Sequence, residues 1–417
     1  MTKQERSWIL YDWANSAYSI AITTAIFPIF FKNVAASGME NYDSTAWLGY
    51  GNSIYTLIIA LLAPFLGALA DYRGNKKKFF FFFLIIGVIA TYSLTFISEG
   101  EWTKALFIYI ISALGFAGGN IFYDSFLVDV TPKERMDWVS TSGYAYGYIG
   151  STIPFVLGIA VILNYGRLGL ASSVVATKIA FIITAIWWFL FSVPFIKHVK
   201  QVYYVEASTS PFKDSFSRLI KTFKDIKSHK NVFLFLVAYF FYIDGVNTII
   251  KMATAYGTDI GISANSLLVI LLAVQIVAFP FALLYGRLAQ RFSAKLMLSV
   301  GICVYICITL IAFFLPSLPS NQVKMIMFWV VSMLVASSQG GVQALSRSFY
   351  AKLIPKEKSA EFFGFYNIFG KFATIIGPFL VGIVSQIARN SSFGVLSIAL
   401  LFIAGGLVLT RVQEKKV

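Results

Sequence analysis

The sequence predicts an all-α polytopic membrane protein with twelve transmembrane helices arranged in two six-helix halves. Three observations lead to this fold class. Of the 417 residues, 58% are hydrophobic and only 13% are charged, whereas soluble domains carry about 25% charged residues. Long apolar runs, each sufficient to cross a bilayer, alternate with short polar connections. A similar arrangement of glycine, proline and charged residues occurs in both halves of the chain.

The composition excludes several other classes of protein. Its hydrophobicity excludes intrinsic disorder, and two cysteines are too few for a disulfide scaffold. The net charge of +15 does not indicate a nucleic-acid partner, because the basic residues recur in short clusters between apolar runs. The two histidines, His198 and His229, lie in one polar connection, and no metal-ligand pattern is present. We therefore expect neither a metal site nor a cofactor.

The apolar runs define the twelve spans in order. The first half contains spans at about 8–33, 45–70, 79–98, 104–130, 138–163 and 173–196. The second half contains spans at about 232–257, 263–286, 295–315, 323–352, 361–388 and 393–411. The first run is too long for the apolar region of a cleaved signal peptide, and it contains Asp12 and Asn15. We therefore expect it to remain as the first membrane helix.

The distribution of basic residues predicts the orientation in the membrane. Of the 34 Lys and Arg residues, 26 lie in the even-numbered connections and in the two termini. Only six lie in the odd-numbered connections, namely Lys32, Lys104, Arg167, Lys178, Lys324 and Arg389. Because basic loops stay on the cytoplasmic side, both termini are predicted to be cytoplasmic, and the membrane is expected to be a cell inner membrane.

The one long polar connection divides the chain into an N-terminal half at 1–196, a linker at 197–231 and a C-terminal half at 232–417. Within the linker, apolar residues from Phe212 to Ile226 follow a helical period, with basic residues between them. This pattern predicts a basic amphipathic helix on the anionic cytoplasmic leaflet. A solvated linker helix would show the same pattern and remains an alternative.

The two halves resemble one another in sequence. A pair of glycines followed by a Pro-Lys-Glu segment occurs at 118–135 and again at 340–358. The segment 67–71 is echoed at 286–290, where Gln290 replaces the acidic residue. Two parallel copies of a six-span unit are typical of transporters whose site lies between the copies.

Polar residues inside the spans indicate where a solute path lies, because a charge at mid-membrane is costly. Most of them lie on spans 1, 4, 7 and 10, with one more in span 11, and on spans 1 and 7 they share one helix face. This period of three in the order of the helices, repeated in both halves, predicts a ring of helices around a wet central cavity. The predicted substrate-binding or coupling residues are Asp12, Asn15, Asp124, Asp244, Asn247, Lys251, Gln343 and Lys371.

Two of these charged residues could have a structural role instead of a functional one, and a third has no such alternative. Asp12 lies about one turn into its span, where a carboxylate can instead stabilise the helix N-terminus. Lys251 could instead extend to the outer interface. Asp244 lies near mid-membrane, where the sequence offers no structural role. We therefore expect Asp244 to couple transport to an ion and Asp12 to act as a gate or substrate contact.

The connection between spans 2 and 3 resembles the signature loop of the major facilitator superfamily. Its sequence is Gly67-Ala-Leu-Ala-Asp71-Tyr-Arg73-Gly74-Asn-Lys76-Lys77, and it departs from the superfamily pattern at Tyr72 and Asn75. The glycines permit close packing and a turn, the aspartate can meet a helix N-terminus, and the basic residues can meet Asp129 on span 4. The predicted gating residues are Gly67, Asp71, Arg73, Gly74, Lys76 and Asp129.

A narrower resemblance rests on Tyr11-Asp12-Trp13-Ala14-Asn15-Ser16-Ala17-Tyr18 in span 1 and Asp244-Gly245-Val246-Asn247-Thr248 in span 7. Together these segments resemble the bacterial "unknown major facilitator" family, which is similar to the vacuolar amino-acid effluxers of fungal autophagy. The resemblance covers nearly the whole chain. It implies the major facilitator fold and the export or exchange of small solutes such as amino acids.

The leading functional hypothesis is a secondary transporter, not an enzyme, that works by alternating access as a monomer. Its expected partners are a small solute, a coupling proton or sodium ion, and membrane lipids. A lipid or lysolipid flippase or scramblase on the same fold remains an alternative. A membrane-embedded transferase is less favoured, because no interfacial acid cluster or His/Asp pair is visible. No phosphate-binding Gly-rich loop is present, which argues against ATP-driven pumping.

Overall fold

The structure, a computed structural model, describes residues 1–39, 41–206, 230–262, 264–374 and 376–414. Within these ranges, twelve helices are long and apolar enough to cross a membrane. This confirms the all-α fold class and the number of spans. The amphipathic helix predicted in the linker falls on 207–229, which lie outside the described residues.

The spanning helices follow the predicted order. In the first half they are α1 (Lys3–Ala35), α2 (Asn41–Ala70), α3 (Asn75–Ser93), α4 (Trp102–Ser125), α5 (Met136–Leu163) and α6 (Ser173–His198). In the second half they are α7 (Lys230–Asp259), α8 (Ala264–Arg291), α9 (Ala294–Phe314), α10 (Asn321–Leu353), α11 and α12 (Ser391–Thr410). The eleventh span consists of two segments, α11a (Ser359–Phe372) and α11b (Ile376–Ala388).

The start of α1 is fixed by a reciprocal capping pair. The Thr2 hydroxyl accepts a hydrogen bond from the Glu5 amide at 3.1 Å, and the Glu5 carboxylate accepts one from the Thr2 amide at 2.7 Å. The helix therefore begins at Lys3, and Asp12 lies more than two turns inside it. Stabilisation of this helix N-terminus, the alternative role for Asp12, is performed by Glu5 instead.

The described residues form two compact units that exchange short segments. The first unit contains Met1–Val130, 146–206 and Lys356–Gly364, and the second contains Thr131–Ala145, 230–355 and 365–414. The first turns of α5 therefore belong to the second unit, and the first turns of α11a belong to the first unit. The start of α5, from the N-terminal half of the chain, thus lies in the unit that contains most of the C-terminal half. The start of α11a, from the C-terminal half, lies in the unit that contains most of the N-terminal half.

Large apolar side chains remain exposed along the spans. Examples are Leu61 on α2, Ile186 on α6, Ile276 on α8 and Leu400 on α12, each more than half exposed. In a soluble protein such residues would form an aggregation-prone surface. In a membrane protein they contact lipid tails, which are as apolar as leucine.

Candidate functional site

The first unit contains a polar cluster on α1 and α4. The Asn15 side chain donates a hydrogen bond to the Asn120 side-chain oxygen at 2.7 Å. Asp12 and Asn15 are buried, with 9% and 5% of their surfaces exposed, and Asp124 lies one turn beyond Asn120 and is half-buried. Asp12 and Asp124 both lie within electrostatic range of the Tyr11 hydroxyl. The structure thus places three predicted residues, Asp12, Asn15 and Asp124, together with an asparagine that was not among them.

Aromatic residues of the same segment of α1 also pack against α4. Trp8 stacks on Tyr123 with ring centroids 4.5 Å apart, and its indole nitrogen donates to the Tyr123 carbonyl at 3.0 Å. The Tyr11 ring lies 4.7 Å from Tyr123, and the Tyr18 hydroxyl lies 2.8 Å from that of Ser112. These rings, like the hydrogen bond between Asn15 and Asn120, join α1 to α4.

The helix α5 passes very close to the polar face of α1. A Cβ atom added to Gly147 would lie only 2.7 Å from the Ser16 hydroxyl oxygen and 3.3 Å from the Asp12 carbonyl oxygen. A side chain at this position would therefore displace the Ser16 hydroxyl and shift the Asp12 carbonyl by a few tenths of an ångström. Immediately after this face, α1 widens into a π-helix over Ser19–Ala25, a distortion that is frequent at functional sites.

The second unit contains a carboxylate at the interruption of the eleventh span. Asp244 on α7 is buried, and one of its oxygens accepts a hydrogen bond from the Gly377 amide at 2.8 Å. Its other oxygen lies 3.4 Å from the Thr248 hydroxyl, which donates to it. Gly377 is the second residue of α11b, so Asp244 caps the N-terminus of that segment. No structural role for Asp244 was apparent from the sequence, and the structure provides one.

Two lysines lie near this capped segment. Lys251 is within electrostatic range of both Asp244 and Lys371. Lys251 is exposed, whereas Lys371, in the last turn of α11a, is partly buried. Asn247 and Gln343 are half-buried on α7 and α10. The structure therefore brings Asp244, Lys251 and Lys371 together, while no hydrogen bond among the described residues joins Gln343 to them.

The signature loop forms a latch with the start of α11a. The two Asp71 carboxylate oxygens accept hydrogen bonds from the Ala360 and Glu361 amides, each at 2.9 Å. Gly67 lies against the Ala360 carbonyl, so closely that a Cβ atom would overlap it. Burial raises the pKa of the Asp71 carboxyl to about 7, although Lys76 and the two amides favour its charged form. We call these contacts, together with the Lys76 pair below, the first latch.

A buried ion pair supports the first latch. The Lys76 ammonium lies 2.8 Å from an Asp129 oxygen, and the side chains of both residues are wholly buried. The same ammonium donates to the Ser359 hydroxyl at 2.8 Å and lies over the Phe126 ring. Lys76 therefore connects α3 with the turn that follows α4 and with the first residue of α11a.

The segment 199–206, which follows α6, crosses the first latch, and we call it the strap. The second Asp129 oxygen accepts hydrogen bonds from the Val202 and Tyr203 amides at 2.8 Å each. The Val205 amide donates to the Asp71 carbonyl at 2.8 Å. Gln201 also donates to the Asp71 carbonyl, at 3.3 Å, so both carboxylate-bearing residues of the latch are bound by the strap.

The remaining gating candidates have smaller roles. The Arg73 guanidinium lies over the Tyr204 ring of the strap, 5.3 Å from its centroid. Gly74 adopts φ +76°, a left-handed conformation that favours glycine, and α3 starts at the next residue. Gly74 thus forms the turn that the sequence predicts.

A second latch in the second unit was not predicted from the sequence. Asp137 in the first turn of α5 accepts hydrogen bonds from the Ser348 hydroxyl at 2.6 Å and from the Lys352 ammonium at 2.5 Å. Arg347 is buried, donates to the Ser140 hydroxyl at 2.9 Å, and lies over the Tyr144 ring. We call these contacts the second latch. The first latch holds the start of α11a, the fifth helix of the C-terminal half. The second latch likewise holds the start of α5, the fifth helix of the N-terminal half, and its partners lie on α10.

Comparisons with known proteins identify the family to which the sequence is similar. A family model described as "Vacuole effluxer Atg22 like" matches residues 38–133 and 130–417. The uncharacterized MFS-type transporter YxiO of Bacillus subtilis is 53% identical over 99% of this chain and 96% of its own length. Autophagy-related protein 22 of Saccharomyces cerevisiae is 23% identical over 90% of this chain and 79% of its own length.

Solved structures of major facilitator superfamily transporters share the fold. The proton:xylose symporter XylE, bound to 6-bromo-6-deoxy-D-glucose, has a TM-score of 0.70 at 11% identity, covering 99% of this chain and 95% of its own. FucP in the outward conformation has a TM-score of 0.68 at 16% identity, covering 99% of both chains. At these identities the likeness concerns the fold alone.

Proposed function

The chain belongs to the Atg22-like family of major facilitator superfamily transporters, and from this premise we propose that it is a secondary active transporter that moves a small solute by alternating access. The observation that carries the proposal is the pair of membrane-embedded clusters, Asp12–Asn15–Asn120 on one unit and Asp244–Lys251–Lys371 on the other. Charged side chains within spans are costly and are retained mainly for solute or ion binding.

The two clusters have different chemistry, which suggests different roles. The first contains carboxylates and amides, and we assign Asp12, Asn15 and Asp124 to the solute. The second contains one carboxylate and two ammonium groups, and we assign Asp244 to the coupling ion, with a proton favoured because a carboxyl can bind and release one. Asn247 and Gln343, both half-buried, are assigned to solute contacts near α7 and α10.

The solute that fits these charges best is an amino acid. An amino acid carries an ammonium group, which complements the carboxylates Asp12 and Asp124 of the first cluster. The matched family is described as effluxer-like, and this favours export or exchange over uptake.

The two latches are proposed to close the transport path on one side. Every latch residue lies at an even-numbered connection or beside one, which the charge distribution assigns to the cytoplasm. We place the protein in a cell inner membrane as a monomer with both termini cytoplasmic. Gly67, Asp71, Arg73, Gly74, Lys76 and Asp129 are then gating residues.

Counterflow in proteoliposomes tests this proposal. Vesicles preloaded with unlabelled amino acids should accumulate the same labelled amino acid transiently, and vesicles preloaded with sugars should not. An imposed proton gradient should drive net movement in the parent protein. A matched control is Glu101→Gln, which changes only an exposed carboxylate at an odd-numbered connection. Absence of exchange for every amino acid, with movement of a fluorescent lipid probe instead, would favour the flippase alternative.

A further inference from the structure

An apolar cavity, partly open to the surface, lies in the second unit, apart from the proposed transport residues. Its volume is about 130 Å³, and its walls come from α7, α8, α9, α10 and α12. Residues on its walls include Ile249, Tyr256, Val274, Ile308, Phe328 and Val335. None of the eight proposed solute or coupling residues is among those that line it.

The size and lining of this cavity suit a small apolar group. A cavity of about 150 Å³ lined by aliphatic and aromatic side chains stays free of water and binds benzene. The cavity here is slightly smaller and is lined almost wholly by carbon atoms. It can therefore accept one aromatic ring or one branched alkyl group without repacking of the helices.

Among the described residues, three polar side chains on the wall, Gln339, Gln275 and Ser332, take part in no hydrogen bond, and Gln339 is the most deeply buried of them. Gln339 on α10 is 95% buried, since only 5% of its surface is exposed, and it lines the cavity. Among the described residues, no hydrogen bond involves its carboxamide. Two other polar groups on the wall are paired: the Tyr256 hydroxyl donates to the Ala312 carbonyl at 2.6 Å, and Thr309 donates to the Ile306 carbonyl at 2.7 Å. A buried amide without a partner is unfavourable and is ordinarily satisfied by a ligand or water.

We propose that this cavity binds a small uncharged molecule with a ring-sized or branched alkyl body and one hydrogen-bonding group directed at Gln339. The ligand must be uncharged because no acidic or basic side chain lies on the described walls. Gln339 can serve a hydroxyl or an amide equally, since its carboxamide both donates and accepts. The site shares α7 with Asp244, but its test requires no transport activity.

Two probes of equal size test the assignment, benzyl alcohol and toluene, with the full-length protein in lipid nanodiscs of one composition. Binding is measured from the midpoint of thermal unfolding as a function of probe concentration. We expect the parent to bind both probes and to bind benzyl alcohol more tightly. Gln339→Met, which keeps the length of the side chain, should bind the two probes equally.

A filled cavity provides the matched control. Val335→Phe places a ring in the cavity and should weaken both probes at least tenfold, whereas Val330→Phe, on an exposed face of the same helix, should leave them unchanged. Equal responses of Val335→Phe and Val330→Phe would show that the probes act through the bilayer, and this would overturn the proposal. Tighter binding of 1-decanol than of benzyl alcohol, lost in Val335→Phe, would indicate an acyl chain and would also overturn it. If Val335→Phe does not fold, an unchanged preference for benzyl alcohol in Gln339→Met rejects the assignment.

Discussion

Asp71 and Asp244 cap the two successive segments of the same membrane span. Asp71 accepts hydrogen bonds from the Ala360 and Glu361 amides at the start of α11a, and Asp244 accepts one from the Gly377 amide at the start of α11b. Each carboxylate satisfies amides that the helix itself leaves unpaired and complements the positive end of the helix dipole. Asp71 follows α2 in the N-terminal half of the chain, and Asp244 lies in α7 in the C-terminal half. Each half therefore supplies the carboxylate that caps one segment of this span.

We expect Asp71→Asn to slow transport while leaving expression near that of the parent. The asparagine amide nitrogen cannot accept a hydrogen bond from Ala360 or Glu361, and the charge at the helix N-terminus is lost. Hydrogen bonds to a charged group contribute about 1.5–3 kcal/mol, so the rate should fall by roughly tenfold or more. Initial rates of exchange in proteoliposomes measure this, with Asp43→Asn, an exposed carboxylate at the other end of α2, as the control. Parent-like rates for Asp71→Asn would show that the latch does not limit transport.

The Asp71 carboxyl should make the folded protein more stable as the pH falls from 7 towards 4, whereas an ion-paired carboxylate ordinarily does the opposite. Burial raises the pKa of Asp71 to about 7, against the opposing effects of Lys76 and of the Ala360 and Glu361 amides, while the Glu361 charge raises it further. In the unfolded chain its pKa returns to about 3.9. Above pH 7 the buried charge is destabilising in full, and as the pH falls from 7 towards 4 the folded state binds a proton that the unfolded state does not, which stabilises it.

The measurement is the difference in unfolding free energy between the parent and Asp71→Asn. Between pH 7 and pH 5 this difference should shift in favour of the parent by on the order of 2 kcal/mol. Comparing the two proteins cancels the titration of all other groups that they share. A difference that is constant over this range, or that shifts in favour of the variant on acidification, contradicts the prediction.

The buried Lys76–Asp129 pair should be essential for stability. Asp129→Asn removes the charge that faces the wholly buried ammonium, and breaking a buried pair by removing one partner costs about 3–5 kcal/mol. The thermal midpoint should therefore fall clearly, and Lys76→Met combined with Asp129→Leu should recover part of the loss, because neither charge of the pair is then left buried without its partner. Glu101→Gln, which breaks the exposed pair with Lys104, should leave the midpoint unchanged. A double variant less stable than Asp129→Asn would contradict this account.

The twelve spans and the first latch could be predicted from the sequence because each depends on a local pattern. Apolar runs of membrane length define helices, and the spacing of Gly67, Asp71 and Lys76 within one short loop indicates a helix-capping turn beside a basic residue. The partners of that loop are harder to predict. Asp129 was identified because span 4 ends there, whereas the contact with Ala360 depends on how α11a packs, which no local spacing records.

The second latch shows what sequence patterns could not provide. Asp137 meets Ser348 and Lys352, two residues one turn apart on α10. Each is an ordinary residue at a helix end, and only the packing of α5 on α10 makes them partners. A usable signal was present, because Asp137 and Lys352 lie beside the Pro-Lys-Glu segments that occur in both halves. The interruption of the span at α11b is marked by Gly377-Pro378, since proline is tolerated in the first turn of a helix and breaks a helix interior, but no local pattern indicates that Asp244 forms the cap.

Cysteine labelling should establish the orientation of the chain. In a background of Cys303→Ser and Cys307→Ser, needed because both native thiols are exposed, we expect Lys200→Cys to react only with reagents that enter the cytoplasm. Gly166→Cys, in the exposed connection between α5 and α6, should react with impermeant reagents in intact cells. The physical reason is the excess of basic residues in even-numbered connections, which are retained on the cytoplasmic side. The reverse labelling pattern would invert the topology, and labelling of both positions from outside would contradict the twelve-span arrangement.

Asp244→Asn should separate coupling from solute movement. Asparagine retains a side-chain oxygen that can accept the Gly377 amide, so the cap on α11b and the fold should persist. It cannot take up and release a proton, and a proton gradient should therefore no longer drive accumulation, while exchange of solute across the membrane continues at a reduced rate. Thr248→Val is the matched control, because it removes only the longer 3.4 Å contact to the same carboxylate and leaves the carboxylate in place. Uphill transport that persists in Asp244→Asn with an unchanged pH profile would remove Asp244 from the coupling step and leave it the structural role of holding α11b.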